Sequence, residues 1–149
     1  MNMLTEDQAA ERRLALPATG LLDGLSPQFI AELQSRGAFV EYNQQAIIAS
    51  GALAEYVCCI VAGRVKISRV DADYVKAPVA MLGVGEWFGE TNLFVRLPSP
   101  EEIYADGEVV VWTMPPDTLR RLFFDNPEAT PLLFNIGASL AQKLAARSR

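Results

Sequence analysis

The chain has 149 residues, half of them hydrophobic and about a fifth charged, with no histidine. That length is one domain's worth, and the apolar content is enough for a core held without disulfide or metal staples. Lacking histidine, the chain offers no His-ligated metal site and no Ser-His-Asp or Cys-His nucleophile pair. Its net charge of −5 opposes binding to a nucleic-acid backbone by this chain alone.

The first elements read as helical. Thr5 to Leu16 carries helix formers and is predicted to stop before Pro17. A glycine-containing link, Ala18 to Gly24, follows. Ser26-Pro27 then reads as an N-cap with proline in the first helical position. Phe29, Ile30 and Leu33 supply that helix with an apolar face, and Gly37 ends it. The first stretch contains Glu6, Asp7, Glu11, Arg12 and Arg13 and lacks the apolar segment of a signal peptide. No apolar run is long enough to span a membrane. The expected address is the cytoplasm.

From Ala38 the period changes. Phe39 to Tyr42, Ala46 to Ala49, Tyr56 to Ala62, Arg64 to Val70 and Val75 to Leu82 are short runs rich in β-branched and aromatic residues. Asn43, Gly51, Gly63, Asp71 and Gly83 punctuate them. Alternation in Arg64 to Ser68 predicts Val65 and Ile67 inward. Ile103 to Ala105 and Glu108 to Met114 continue the pattern. Cys58 and Cys59 are adjacent inside an apolar run, so on a strand they face opposite ways, and at least one is expected in the core. Two adjacent thiols make neither a disulfide framework nor a zinc site.

The end of the chain returns to helix. Pro116-Asp117 opens a helix carrying Leu119, Leu122 and Phe123, and Asp125-Asn126-Pro127 breaks it. A longer helix runs from about Glu128, with Leu133, Ile136, Leu140 and Leu144 at helical spacing. The reading is mainly β with flanking α: a cupin-like β-roll, or jelly roll, of about eight strands with an N-terminal helical segment and two C-terminal helices. Residues 1–21 are the N-terminal segment, 22–126 the roll with its flanking helices, and 127–149 the long helix.

The segment Leu82 to Ala105 carries the most information. Gly83, Gly85 and Gly89 are dense for a β region and mark bends or close approaches. Gly83-x-Gly85 is not a dinucleotide fingerprint, because Phe88 stands where the third glycine belongs. Leu82-x-x-Gly85-x-x-Phe88-Gly89-Glu90 resembles the stretch leading into the phosphate-binding cassette of the cyclic nucleotide-binding domain family. That family supplies the regulatory domain of catabolite-activator-type bacterial regulators, cyclic-nucleotide-dependent kinases and gated channels. Gly51 in its turn, Tyr56 to Arg64, and the closing helices from Thr118 onward match in order, so the resemblance covers Leu22 to Leu144.

The resemblance implies a nucleotide pocket at Phe88, Gly89, Glu90 and Thr91. The glycine and the following amides would face the cyclic phosphate, and the glutamate would hold the ribose 2′-hydroxyl. The family's phosphate arginine is not matched. Counting on from Glu90, its position falls on Ser99 or Pro100, followed by Glu101 and Glu102. Pro100 has no N–H to donate. An arginine about 4 Å from a phosphate charge contributes roughly 4 kcal/mol at an effective dielectric of about 20. Losing about 3 kcal/mol of that weakens binding about a hundredfold. Binding of cAMP or cGMP is therefore expected to be weak or absent. The alternative is a genuine cyclic-nucleotide sensor that uses Arg96 and backbone amides for the phosphate.

Glu90, Glu101 and Glu102 also invite a metal or acid–base reading, but neighbouring strand residues diverge, so at most one of the pair joins Glu90. Trp87, Phe88, Phe94 and Trp112 read as packing. No catalytic residue, metal or cofactor is expected. The function read from the sequence is a non-enzymatic regulatory or interaction domain, acting through a partner protein or a different small-molecule ligand. In the resembling bacterial regulators a DNA-reading domain follows the long helix, and these residues contain none, which reads as a stand-alone domain. The stripe Leu133, Ile136, Leu140 and Leu144 either lies on the roll or pairs with its copy. Gly137 and Ala138 permit close approach, and a homodimer through this helix is the expectation.

Overall fold

The computed structural model describes residues 1–147, with Arg147 described by its backbone alone. Helix α1 (Glu6–Glu11) starts at a capping box in which the Thr5 hydroxyl accepts from Gln8 N and the Gln8 side chain accepts from Thr5 N. It is shorter than its composition predicts. The chain leaves the helix through Arg13 at φ 53°. This exit lets Leu14 pack on the core and buries Leu16. The Leu16 N–H then bonds Gln34 Oε1 at 2.8 Å. Tertiary burial overrides helix propensity here. Ahead of α1, the short strand β1 (Asn2–Met3) pairs with β2, which the sequence did not signal. Segment 1–21 therefore shares the core of the roll.

Helix α2 (Pro27–Arg36) is capped by Ser26 Oγ, 3.1 Å from Phe29 N, and buries Phe29, Ile30 and Leu33 as predicted. Strands β2 (Ala38–Asn43), β3 (Ala46–Ile48), β4 (Val57–Ala62), β5 (Val65–Val70), β6 (Lys76–Leu82), β7 (Trp87–Phe88), β8 (Glu101–Ala105) and β9 (Glu108–Met114) follow. All pairings are antiparallel. One sheet runs β1-β2-β9-β4-β7 and the other β3-β8-β5-β6. The fold is the β-roll expected from the turn spacing.

The central strands β4 and β9 are buried on both faces, and alternation divides their side chains between two cores. Val57, Cys59, Val110, Trp112 and Met114 join the core beneath the helices. Cys58, Ile60, Val109 and Val111 join the core between the sheets. Both cysteines are thus core residues. In β5 the inward alternation breaks at a bulge after Ile67, which leaves Ser68 buried and Ile67 only half-buried. At Gly37 the backbone passes so close to Trp112 that an added Cβ would lie 2.4 Å from the indole ring.

Helices α3 (Pro116–Asp125) and α4 (Thr130–Arg147) close the structure. The α4 face on the roll differs from the predicted stripe. Ala129, Leu132 and Ile136 are buried there, with Leu140 packed beside them. Leu133 and Leu144 are 37% and 68% exposed. Ile136 is fully buried in the core and cannot serve a second chain. The reason is a rotation of the stripe by one residue, from Leu133 to Leu132, as the helix enters from the turn at Pro127. Residues 148–149 of the predicted long-helix segment lie outside the described residues.

Candidate functional site

The site grows from the end of the sheet. β7 pairs with β4, placing Phe88 opposite Cys58 and Trp87 opposite Cys59. This two-residue strand sends Phe88 into the inter-sheet core and Trp87 into the helix-side core, where it meets Trp112 edge-on at 5.8 Å. The chain then turns sharply at Gly89, with φ 80°. A Cβ at that position would lie 2.4 Å from the Tyr56 carbonyl oxygen, so glycine is required by both conformation and space.

A 3₁₀ turn, Glu90–Leu93, follows. Glu90 is 3% exposed, and its Oε1 accepts from Lys143 Nζ of α4 at 2.8 Å. A carboxylate buried that deeply needs a partner, and the last turns of α4 supply it. Arg120 of α3 closes the other end of the turn. Its Nη1 donates to the carbonyls of Asn92 at 3.1 Å and Leu93 at 3.2 Å, while its Nη2 is held by Asp117. Thr91 is exposed.

The second half of the segment is different. Phe94, Val95 and Leu97 are each about half exposed or more. Ser99 is tied to the loop after β3: its N–H bonds Ala52 O at 2.8 Å, and its carbonyl accepts from Gly51 N at 2.7 Å. The Ser99 hydroxyl donates to the Glu101 carbonyl at 2.7 Å and accepts from the Glu101 N–H at 3.3 Å. Pro100 is exposed, and Glu101 stands opposite Arg69 in the β5–β8 ladder. Glu102 pairs with Lys76 at 3.0 Å. The two adjacent glutamates diverge, and neither is placed with Glu90 by these contacts.

Two cavities flank the 3₁₀ turn. One, of about 360 Å³, lies between Glu90, the β6–β7 turn and α4. The other, of about 180 Å³, lies on the far side and is lined by Asn92, Arg96, Asp117 and Arg120 among others. Glu90 and Arg96 therefore line different cavities. Lys143 is the residue that sequence reasoning missed. Its signal was present: the buried stripe Ala129, Leu132, Ile136 and Leu140 continues by helical spacing to position 143. That spacing places Lys143 on the side of α4 nearer the roll, half exposed, while its acidic partner is not legible from the sequence.

The remaining chemistry is quiet. Burial raises both thiols, Cys59 to about 12 and Cys58 further, with the Cys59 thiol and Glu90 adding to the rise at Cys58. Thiols held protonated in this way are poor nucleophiles. Burial also raises the Tyr42 phenol. Among the described residues no group of three or more acidic or cysteine side chains could hold a metal ion. No described helix is long and apolar enough to cross a membrane.

Comparison with known proteins bears on the family and the fold. The profile described as "Cyclic nucleotide-binding domain" matches residues 42–126. A "CRP-like cAMP-activated global transcriptional regulator" from Mycobacterium tuberculosis is 28% identical over 130 residues, covering 87% of this chain and 57% of the relative. The chain thus spans little more than half the length of that relative. Among solved structures, the Thermus thermophilus catabolite activator protein superposes with a TM-score of 0.79 at 23% identity, covering 87% of this chain and 60% of that one. A regulatory subunit of a cAMP-independent protein kinase A from Trypanosoma brucei, solved as a triple variant with cAMP in its A site, superposes with a TM-score of 0.68 at 19% identity. It matches 92% of this chain and 46% of its own. With the profile matching more than half its length and the roll, cassette turn and closing helices in place, this chain belongs to the cyclic nucleotide-binding domain family.

Proposed function

We propose that this chain is a non-enzymatic regulatory domain whose cassette binds cAMP or cGMP weakly or not at all, and which acts through a partner protein or a different small ligand. The carrying observation is the contrast within the cassette. Gly89 and Glu90 keep the turn, while the position at which the resemblance expects the phosphate arginine falls on Ser99 or Pro100, with the Ser99 hydroxyl bonded to the Glu101 backbone. Arg96 lines the cavity shared with Arg120 and Asp117, away from Glu90, which weighs against its serving the phosphate. A phosphate brought to Ser99–Glu101 would lose its hydration without gaining a guanidinium from the cassette loop at Ser99 or Pro100. The kinase subunit named as cAMP-independent gives a parallel, since the variant seen with cAMP carries a substitution to arginine.

Calorimetric titration with cAMP, cGMP and cyclic dinucleotides tests this reading. The expected result is no binding in the micromolar range to any of them. Micromolar affinity for one would overturn it.

The exposed side of α4, with Leu133, Phe134 and Gly137, supports self-association through that helix. Leu144, also exposed, extends the same face, whereas Leu140 packs against the core. Sedimentation of the intact chain, compared with Leu133→Glu, tests this. A dimer that persists unchanged in the variant would contradict it.

A further inference from the structure

The smaller cavity, of about 180 Å³, lies between the cassette turn, the loop after β3 and the start of α3. Glu55 lines it from the loop, Asn92 and Arg96 from the cassette segment, and Pro116, Asp117 and Arg120 from α3. Two ties fix these walls. Ser99 bonds Gly51 N and Ala52 O, which joins the loop bearing Arg96 to the loop bearing Glu55. Arg120 donates to the carbonyls of Asn92 and Leu93, which joins α3 to the turn.

The charges around this space divide into a spent pair and an open pair. Arg120 is held by Asp117, and the two cancel. Among the described residues, the side chains of Glu55 and Arg96 have no hydrogen-bond or ion-pair partner.

Asn92 carries a second mark. It is buried, and its Nδ2 donates to Gly89 O at 3.3 Å. Its amide oxygen has no donor among the described residues. Buried acceptors of this kind are seldom left unmet, and each calls for an explanation.

From these features we infer that the cavity binds a small zwitterion, a free α-amino acid with a short side chain. The inference rests on the reading that the chain acts through a different small ligand for its regulatory meaning, and on the cavity for its chemistry. The ligand carboxylate goes to the Arg96 guanidinium, whose fork can take it through two parallel hydrogen bonds. The ammonium goes to the Glu55 carboxylate and the Asn92 amide oxygen. Pro116 offers an apolar wall to the side chain. Size and charge exclude the alternatives. The space is well below the roughly 300 Å³ at which sites for drug-sized ligands begin, so a nucleoside is too large. An anion alone would meet Glu55 and Asp117, and a cation alone would meet Arg96 and Arg120. A ligand carrying both charges answers the open pair and leaves the lining neutral. Glu55 and Arg96 are exposed, so water competes for them, and an affinity of about millimolar is expected.

The test uses the intact protein, nitrogen-labelled for magnetic resonance. Glycine, alanine and serine are titrated separately while the Asn92 side-chain amide is followed. Acetate and methylammonium, each carrying one of the two charges, are titrated in parallel, and free tryptophan tests size. The expected result is a saturable shift of the Asn92 amide by at least one small amino acid. Acetate, methylammonium and tryptophan should bind about tenfold more weakly or worse.

Arg96→Gln and Glu55→Gln each remove one charge at an exposed position, and each should weaken amino-acid binding about tenfold with the melting temperature unchanged. Absence of a saturable shift with all of the small amino acids overturns the inference. So does acetate binding as tightly as they do, or undiminished binding in both variants. Calorimetry with cAMP separates this outcome from the fate of the cassette. Amino-acid silence without cAMP binding overturns the cavity assignment alone. Micromolar cAMP binding beside a retained amino-acid site overturns the lapsed cassette and upholds the assignment.

Discussion

The two halves of the cassette segment are built to different standards. From Trp87 to Leu93 every residue except Thr91 is half-buried or buried, and the turn is clamped at both ends. Lys143 holds Glu90 from α4, and Arg120 holds the carbonyls of Asn92 and Leu93 from α3. From Phe94 to Pro100 the chain is largely exposed, and Ser99 alone anchors it to the neighbouring loop. The first half is required by the fold, since β7, Gly89 and the 3₁₀ turn join the roll to its closing helices. The second half contributes less to the fold, through the Ser99 tie to Gly51 and Ala52. On the proposed reading, loss of phosphate chemistry there would leave the fold intact, so the turn of a cyclic nucleotide-binding domain could persist without its charge.

This contrast can be broken from either side. The largest effect is expected at Gly89→Ala, where a left-handed backbone and a 2.4 Å approach to the Tyr56 carbonyl combine. The cost should be about 3 kcal/mol in chemical denaturation. A loss of less than about 1 kcal/mol would show that the turn is not fixed as described.

In the second half the change should instead be a gain. Pro100→Arg combined with Glu101→Ala should raise cAMP affinity about a hundredfold, read by calorimetry, without lowering stability. No gain in a folded variant would mean that more than the charge has been lost.

Lys143→Met is expected to cost about 2 kcal/mol. It strands a buried carboxylate, although the lysine itself is half exposed and its loss is correspondingly discounted. Adding Glu90→Gln should restore most of that stability, a coupling that a double-mutant cycle measures directly.

The thiols sharpen the comparison through pH. Both are protonated in the folded state with raised values, Cys59 at about 12. Their contribution is complete below the unfolded value of 9.0 and is lost as pH climbs from there toward 12. A thiol reagent should leave the native protein unmodified at neutral pH and react upon unfolding. Arg96→Ala should do least, changing stability by less than about 0.5 kcal/mol.

How far the sequence foretold this can be read from particular residues. The strand pattern was legible because Val57 to Ala62 and Glu108 to Met114 are long apolar runs between turn residues. β7 was not legible, because two residues cannot display a period, and its pairing with Cys58 and Cys59 comes from across the sheet. Helix α1 was read too long because nothing local reveals that Leu16 must turn into the core. On α4, Leu132 and Leu133 are adjacent leucines, and spacing alone could not say which faces the roll. Gly89 and Glu90 were recognisable as a motif. The ion pair with Lys143 was not, because it joins positions 53 residues apart. The absence of an arginine at Ser99 and Pro100 needed no structure to see. The tie from Ser99 to Gly51 and Ala52 did.

The most direct test is a crystal structure of the protein grown with cAMP. The account predicts no nucleotide seated on the cassette, with Ser99 still bonded to Glu101 and Lys143 still on Glu90. A fully occupied cyclic phosphate resting against Gly89 and Ser99 would contradict it.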